Sequence, residues 1–248
     1  MRERYEKLDG YRGITMLSMA AYHTLWDLNY MYGMPMPWYQ TLPGFIWERT
    51  ICCSFILLSG FCWPLGHRHL RRGLLVSAAG FLVTLATLLV LPENQILFGV
   101  LTLIGSCMLL LIPLDRIFRK IPPVVGIAVS LFLFFSVLHL QNGYLSFFGQ
   151  RVSLPQGWYR NLFTAWLGFP AQGFYSTDYF PLLTWFPLYL TGYFFSVLLQ
   201  AKHAMGWLKR WPGKFLPWLG RHSLLFYLLH QVVIYLVLEL LFRGKIYG

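Results

Sequence analysis

Apolar runs of about twenty residues recur along the whole chain, and this spacing constrains the fold more than any other feature. A helix rising 1.5 Å per residue needs about 20 apolar residues to cross a hydrocarbon core of about 30 Å. A transmembrane barrel would instead give short, weak segments of alternating polarity. Helices are therefore the expected spanning element. Composition agrees: of 248 residues, 57% are hydrophobic and 12% are charged, whereas a soluble domain carries about a quarter charged residues. A water-soluble globule is excluded.

The runs predict an all-α integral membrane protein, a bundle of about seven helices over residues 12–30, 45–65, 74–91, 96–114, 124–140, 179–199 and 223–241. Turn signals fall between them: Pro92 to Asn94, Pro122-Pro123, and Trp211-Pro212-Gly213. No internal repeat or low-complexity linker is visible, so residues 1–248 read as one domain. The first apolar stretch is interrupted by His23 and Asp27 with no small-residue cleavage site after it. It reads as a retained span rather than a removable signal peptide.

The net charge is +11. The basic residues form short clusters between apolar runs rather than one face interleaved with aromatics, which points to membrane orientation and away from nucleic acid. With the N-terminus cytoplasmic, the inner segments hold thirteen cations (Arg2, Arg4, Lys7, Arg68, Arg71, Arg72, Arg116, Arg119, Lys120, Lys202, Lys209, Arg210 and Lys214) and the outer ones four (Arg151, Arg160, Arg243 and Lys245). That asymmetry predicts a cytoplasmic N-terminus and an outer C-terminus. The stretch 141–178 then lies outside, long for a structureless loop, and reads as a re-entrant segment or a lid over an acceptor. Cys52, Cys53, Cys62 and Cys107 lie within apolar runs without metal-ligand spacing and read as packed thiols, with no metal expected. His67, His69 and His203 sit in basic loops and read as solvated; His139 and His222 have no evident partner.

Ionisable side chains inside a span cost a few kcal/mol or more, so each is a candidate for function. Arg12 and His23 are eleven residues apart, about three helical turns, and share a face about 16 Å apart along the axis. Asp27, one turn on, shares it. In the last span Ser223, Tyr227 and His230 fall on one face behind Arg221. Both spans run in the same direction, so His23 and His230 are expected at similar depth. Glu48 and Arg49, near the outer end of the second span, match Asp27 in depth, which suggests an Asp27–Arg49 ion pair. An interfacial Arg49 snorkelling outward is the alternative, as is a polar seam between helices for the whole set. Guanidinium groups at the cytoplasmic mouth suit an anionic, phosphate-bearing donor, and an imidazole beyond it suits proton abstraction from an acceptor nucleophile.

The run Leu8-Asp9-Gly10-Tyr11-Arg12-Gly13-Ile14 followed by Tyr22-His23 resembles the opening of bacterial membrane acyltransferases that modify extracellular sugars from cytosolic acyl-CoA. The closer likeness is to bacterial members of the heparan-alpha-glucosaminide N-acetyltransferase catalytic-domain family. Four further stretches are similar to theirs: Phe55 to Phe61, Ile96 to Gly105, Asp178 to Gly192, and Gly220 to Gln231. The stretch near Ile96 departs from the family, which often has a histidine where this chain has Thr102.

The resemblance implies a multi-pass cell-membrane acetyltransferase that uses acetyl-CoA as acyl donor and a sugar or cell-envelope glycan as acceptor. On that reading His23 is general base or transient acyl carrier, Asp27 orients it, and His230 joins them as a catalytic residue. Arg12 and Arg221, with the basic loop Arg68, Arg71 and Arg72, hold the donor's phosphates, and Ser223 and Tyr227, with His230, line its channel or the oxyanion. Glu48 and Arg49 are structural. A homodimer is compatible with this scheme. The competing reading is a small-solute transporter or channel that uses the same midplane polar groups as a permeation path.

Overall fold

The structure is a computed structural model. It describes residues 4–246, with side chains described as far as residue 242. Arg2 lies outside the described residues, as do the side chains of Arg243 and Lys245. Nine α-helices are described: α1 Glu6–Tyr30, α2 Leu42–Cys62, α3 His69–Val90, α4 Val100–Phe118, α5 Pro123–Val137, α6 Leu162–Leu167, α7 Leu182–Ala201, α8 Phe215–Arg221 and α9 Ser223–Ile246. Each of the seven long ones overlaps one of the apolar runs read from the sequence, with ends shifted by up to about six residues.

Six of the seven are long and apolar enough to cross a membrane: α2, α3, α4, α5 with its extension to Asn142, α7, and α9 over Ser223–Phe242. The protein is a helical, multi-pass membrane protein. Helix α1 has the length, at 25 residues, but carries Glu6, Lys7, Asp9, Arg12, His23 and Asp27 and so stands apart from the apolar six. The architecture fits the all-α membrane expectation, with one small β element added to it. Within 141–178 a two-stranded antiparallel hairpin forms, β1 Tyr144–Phe147 paired with β2 Gln150–Ser153. The short α6 follows, opened by a capping box between Asn161 and Thr164. That segment is structured through local turns and caps, which hydropathy does not report.

The chain divides into two compact units, one formed by residues 4–55 with 204–246 and the other by 56–203, the division falling inside α2. In the first unit α1 packs along α8 and α9. A Cβ on Gly13 would lie 2.3 Å from the carbonyl oxygen of Leu216, and one on Gly220 would lie 1.9 Å from that of Asp9. The backbones of α1 and α8 therefore touch, as only glycine allows.

In the second unit α7 is the most enclosed span, with 61% of its apolar window buried. Thr191 of α7 shares a buried hydrogen bond with Ser130 of α5, 2.9 Å. The Tyr193 hydroxyl donates to Asp115 of α4 at 2.6 Å, and Asp115 also accepts from Arg119 at 2.7 Å. These polar ties satisfy groups that lipid would leave unpaired. His69 departs from the solvated reading, because its ring stacks on Trp63 with centroids 3.9 Å apart. His139 and His222 gain partners, His139 against the Tyr144 ring at 4.9 Å and His222 through Nδ1 to the Trp218 carbonyl at 2.9 Å.

Candidate active site

The site lies within the first unit, where α1 and α9 face each other. His23 and Asp27, one turn apart on α1, meet His230 and Gln231 on α9. The His23 and His230 rings have centroids 5.0 Å apart, inclined at 57°. His230 is 8% exposed, and its Nδ1 lies 2.6 Å from the Tyr227 carbonyl oxygen. A carbonyl only accepts, so Nδ1 carries the proton and donates it. The lone pair is then on Nε2, a buried atom with no hydrogen-bond partner among the described residues. One imidazole thus has a buried ring nitrogen that could accept a proton, and a second imidazole lies beside it.

Asp27 is fully buried. Both of its carboxylate oxygens accept from the Gln231 side-chain amide, at 2.9 and 3.0 Å. This replaces the expected Asp27–Arg49 ion pair. A neutral amide from α9 satisfies the carboxylate without desolvating a second full charge, which is the cheaper arrangement in a buried site. The guanidinium of Arg49 instead lies 5.1 Å from the centroid of the Phe45 ring. Glu48 is half-buried. Among the described residues no hydrogen bond joins Asp27 to either imidazole; its side chain is bonded to Gln231.

Aromatic side chains wall the His23 side. Tyr22 packs edge-on to Trp47 at 5.4 Å and against Tyr39 at 4.8 Å. The Trp47 indole donates to Ser18 at 2.8 Å, and the Tyr39 hydroxyl donates to the Tyr22 carbonyl at 3.1 Å. Tyr39 sits in a short turn outside the spans, and burial holds its hydroxyl protonated well above the usual tyrosine range.

The α1–α8 crossing brings Arg12 to the Gly220 carbonyl, one residue before Arg221 in the chain. Arg12 Nη1 reaches the Gly220 carbonyl at 3.4 Å and Asp9 Oδ1 at 3.2 Å, while Asp9 also takes Arg4 at 3.1 Å. Arg221, at the end of α8, is exposed. The same end of this unit carries Lys7, whose ammonium lies 5.0 Å from the Trp207 ring centroid. Cationic groups that could grip phosphate therefore gather there. Ser223 and Tyr227 are half-buried at the start of α9, with the Tyr227 ring 5.6 Å from that of His230. Among the described residues no group of three or more His, Cys, Asp or Glu could hold a metal ion.

The residue that sequence reasoning missed is Gln231. A polar side chain in an apolar span, next to His230 and one turn past Tyr227, carries the same cost signal that singled out the histidines.

Among curated proteins and among solved structures nothing matches this chain. Residues 4–232 match the family described as heparan-alpha-glucosaminide N-acetyltransferase, catalytic. The match spans both units and includes every residue of the site above. The chain belongs to the heparan-alpha-glucosaminide N-acetyltransferase catalytic-domain family, a membrane acetyltransferase type.

Proposed function

We propose that this protein moves an acetyl group from cytosolic acetyl-CoA to a hydroxyl or amine of a glycan acceptor across the cell membrane, with His23 and His230 handling the proton. The observation that carries the reading is the pair of imidazoles 5.0 Å apart, one with a buried, unpartnered Nε2, in a chain of an acetyltransferase family. On this reading α1 is a seventh span, with the N-terminus cytoplasmic and the C-terminus outside, and its polar residues form the reaction axis.

Arg12 and Arg221 at the cationic end hold the donor's phosphates, as guanidinium groups do well. Ser223 and Tyr227 line the donor's path toward the imidazoles. An imidazole nitrogen accepts the acceptor's O–H or N–H proton while the acceptor's oxygen or nitrogen bonds to the thioester carbonyl carbon. The C–S bond then breaks, and the imidazolium returns the proton to the departing thiolate. Gln231 and Asp27 keep α1 and α9 in register so that the two rings stay together.

The test is acetyl transfer in proteoliposomes supplied with acetyl-CoA and a soluble sugar. His23→Ala is expected to lose transfer by about 10²- to 10⁴-fold, the usual worth of a positioned base. Full activity in that variant would reject the assignment. Rapid acid quench with labelled donor separates direct transfer, which leaves the protein unlabelled, from transient carriage on His23.

A further inference from the structure

The β1–β2 hairpin does not project away from α5 but folds back along it. At its base Tyr144 stacks on His139, just past the end of α5, with centroids 4.9 Å apart. At its tip Phe147 and Phe148 lie 6.2 and 5.9 Å from Phe132. Phe132 precedes His139 by seven residues, so the tip sits roughly 10 Å further down the α5 axis than the base. The four-residue strand β1 covers about that length at roughly 3.3 Å per residue. Helix α5, with its extension, is one of the six apolar spans, Pro123–Asn142. A segment that runs 10 Å back along a span lies beside the hydrocarbon that the span crosses.

The tip is built for that position. Phe148 has φ +46° and Gly149 has φ +82°, the left-handed pair of a type I′ turn, in which the first central position favours Asn, Asp or Gly. A phenylalanine there bears a conformational penalty, and it is 95% exposed, so the folded chain returns almost no packing for it. Its neighbour Phe132 is itself 46% exposed on a flank of α5 that also shows Val125, Val129 and Phe135. The apolar tip therefore continues the outward-facing surface of the span. Arg151, the one cation of the hairpin, is drawn the other way, its guanidinium 4.9 Å from the Tyr144 ring centroid at the base. Apolar tip inward and cation at the rim is the polarity of an interfacial anchor.

We infer that the β1–β2 hairpin is a membrane anchor whose tip, Phe147 to Gly149, inserts Phe148 among the lipid acyl chains beside α5. The inference stands apart from the acetyltransferase chemistry.

The experiment uses the full chain in phosphatidylcholine liposomes, with a nitroxide attached at Phe148→Cys and, for comparison, at Glu93→Cys. Glu93 is exposed in the turn between α3 and α4. Collisions of the nitroxide with dissolved oxygen and with a water-soluble nickel chelate are compared, and the signal from the native cysteines is subtracted. At position 148 oxygen should exceed nickel, with nickel contact about tenfold below that at position 93, as exclusion from water costing about 1.4 kcal/mol would give. High nickel contact at 148 places the tip in water and overturns the inference. Low contact with both reagents means that protein covers the tip, from this chain or a second copy, and also overturns it. Should Phe148→Cys fail to fold, wild-type protein in liposomes containing an acyl-chain diazirine phospholipid gives the answer. Photolabel on Phe147 to Gly149 supports insertion, and label on α5 without any on the hairpin rejects it.

Discussion

The side-chain amide of Gln231 donates to both oxygens of Asp27, at 2.9 and 3.0 Å, and so ties α9 to the most deeply buried carboxylate of α1. The tie is made at the turn beside the two imidazoles.

Replacing Gln231 with Leu leaves that carboxylate buried without donors. A loss of about 1–3 kcal/mol is expected, read as a lower melting temperature in detergent. Asp27→Leu combined with Gln231→Leu should recover part of the loss, because an apolar pair leaves nothing unsatisfied.

His230→Asn tests the imidazole apart from its fold. The asparagine amide can donate to the Tyr227 carbonyl as Nδ1 does now but offers no basic nitrogen in place of Nε2. The melting temperature should hold while acetyl transfer falls by about 10²- to 10⁴-fold.

At the α1–α8 crossing, Gly220→Ala drives a Cβ to 1.9 Å from the Asp9 carbonyl oxygen. Backbone cannot yield as a side chain can, so a cost of about 1–3 kcal/mol is expected, along with a shift of Arg12 from the Gly220 carbonyl. Thermal unfolding reports the first, and a weakened apparent affinity for acetyl-CoA reports the second.

Tyr39 predicts an alkaline limit. Burial raises its folded-state pKa above that of an unfolded tyrosine. Its contribution to stability is therefore fully present below about pH 10 and is lost as pH rises beyond that, when the unfolded state releases the proton first. Melting curves between pH 8 and 11 should fall at the alkaline end, and Tyr39→Phe should flatten that fall.

The helices were legible because a bilayer demands long apolar stretches, and the demand is written residue by residue. Runs predicted at 74–91 and 124–140 became α3 His69–Val90 and α5 Pro123–Val137. Helix α1 was legible too, from the apolar run 12–30 that continues despite His23 and Asp27. The hairpin was not, because its turn uses a phenylalanine where a turn signal would be asparagine or glycine. Nor was the partner of Asp27, since depth matching ranks Arg49 and Gln231 alike until the helices are placed.

Sequence alone determined that this chain is a helical membrane protein, which of its side chains pay a penalty for their position, and that two histidines would lie at similar depth. Those follow from hydrophobicity and helical period, which act locally. The tertiary structure decided which helix faces which: that α1 meets α9 so closely that His23 and His230 stand 5.0 Å apart, and that a neutral amide rather than a guanidinium satisfies Asp27. Rotation of each helix about its axis is set by contacts such as Gly13 on Leu216 and Gly220 on Asp9, which join residues distant along the chain.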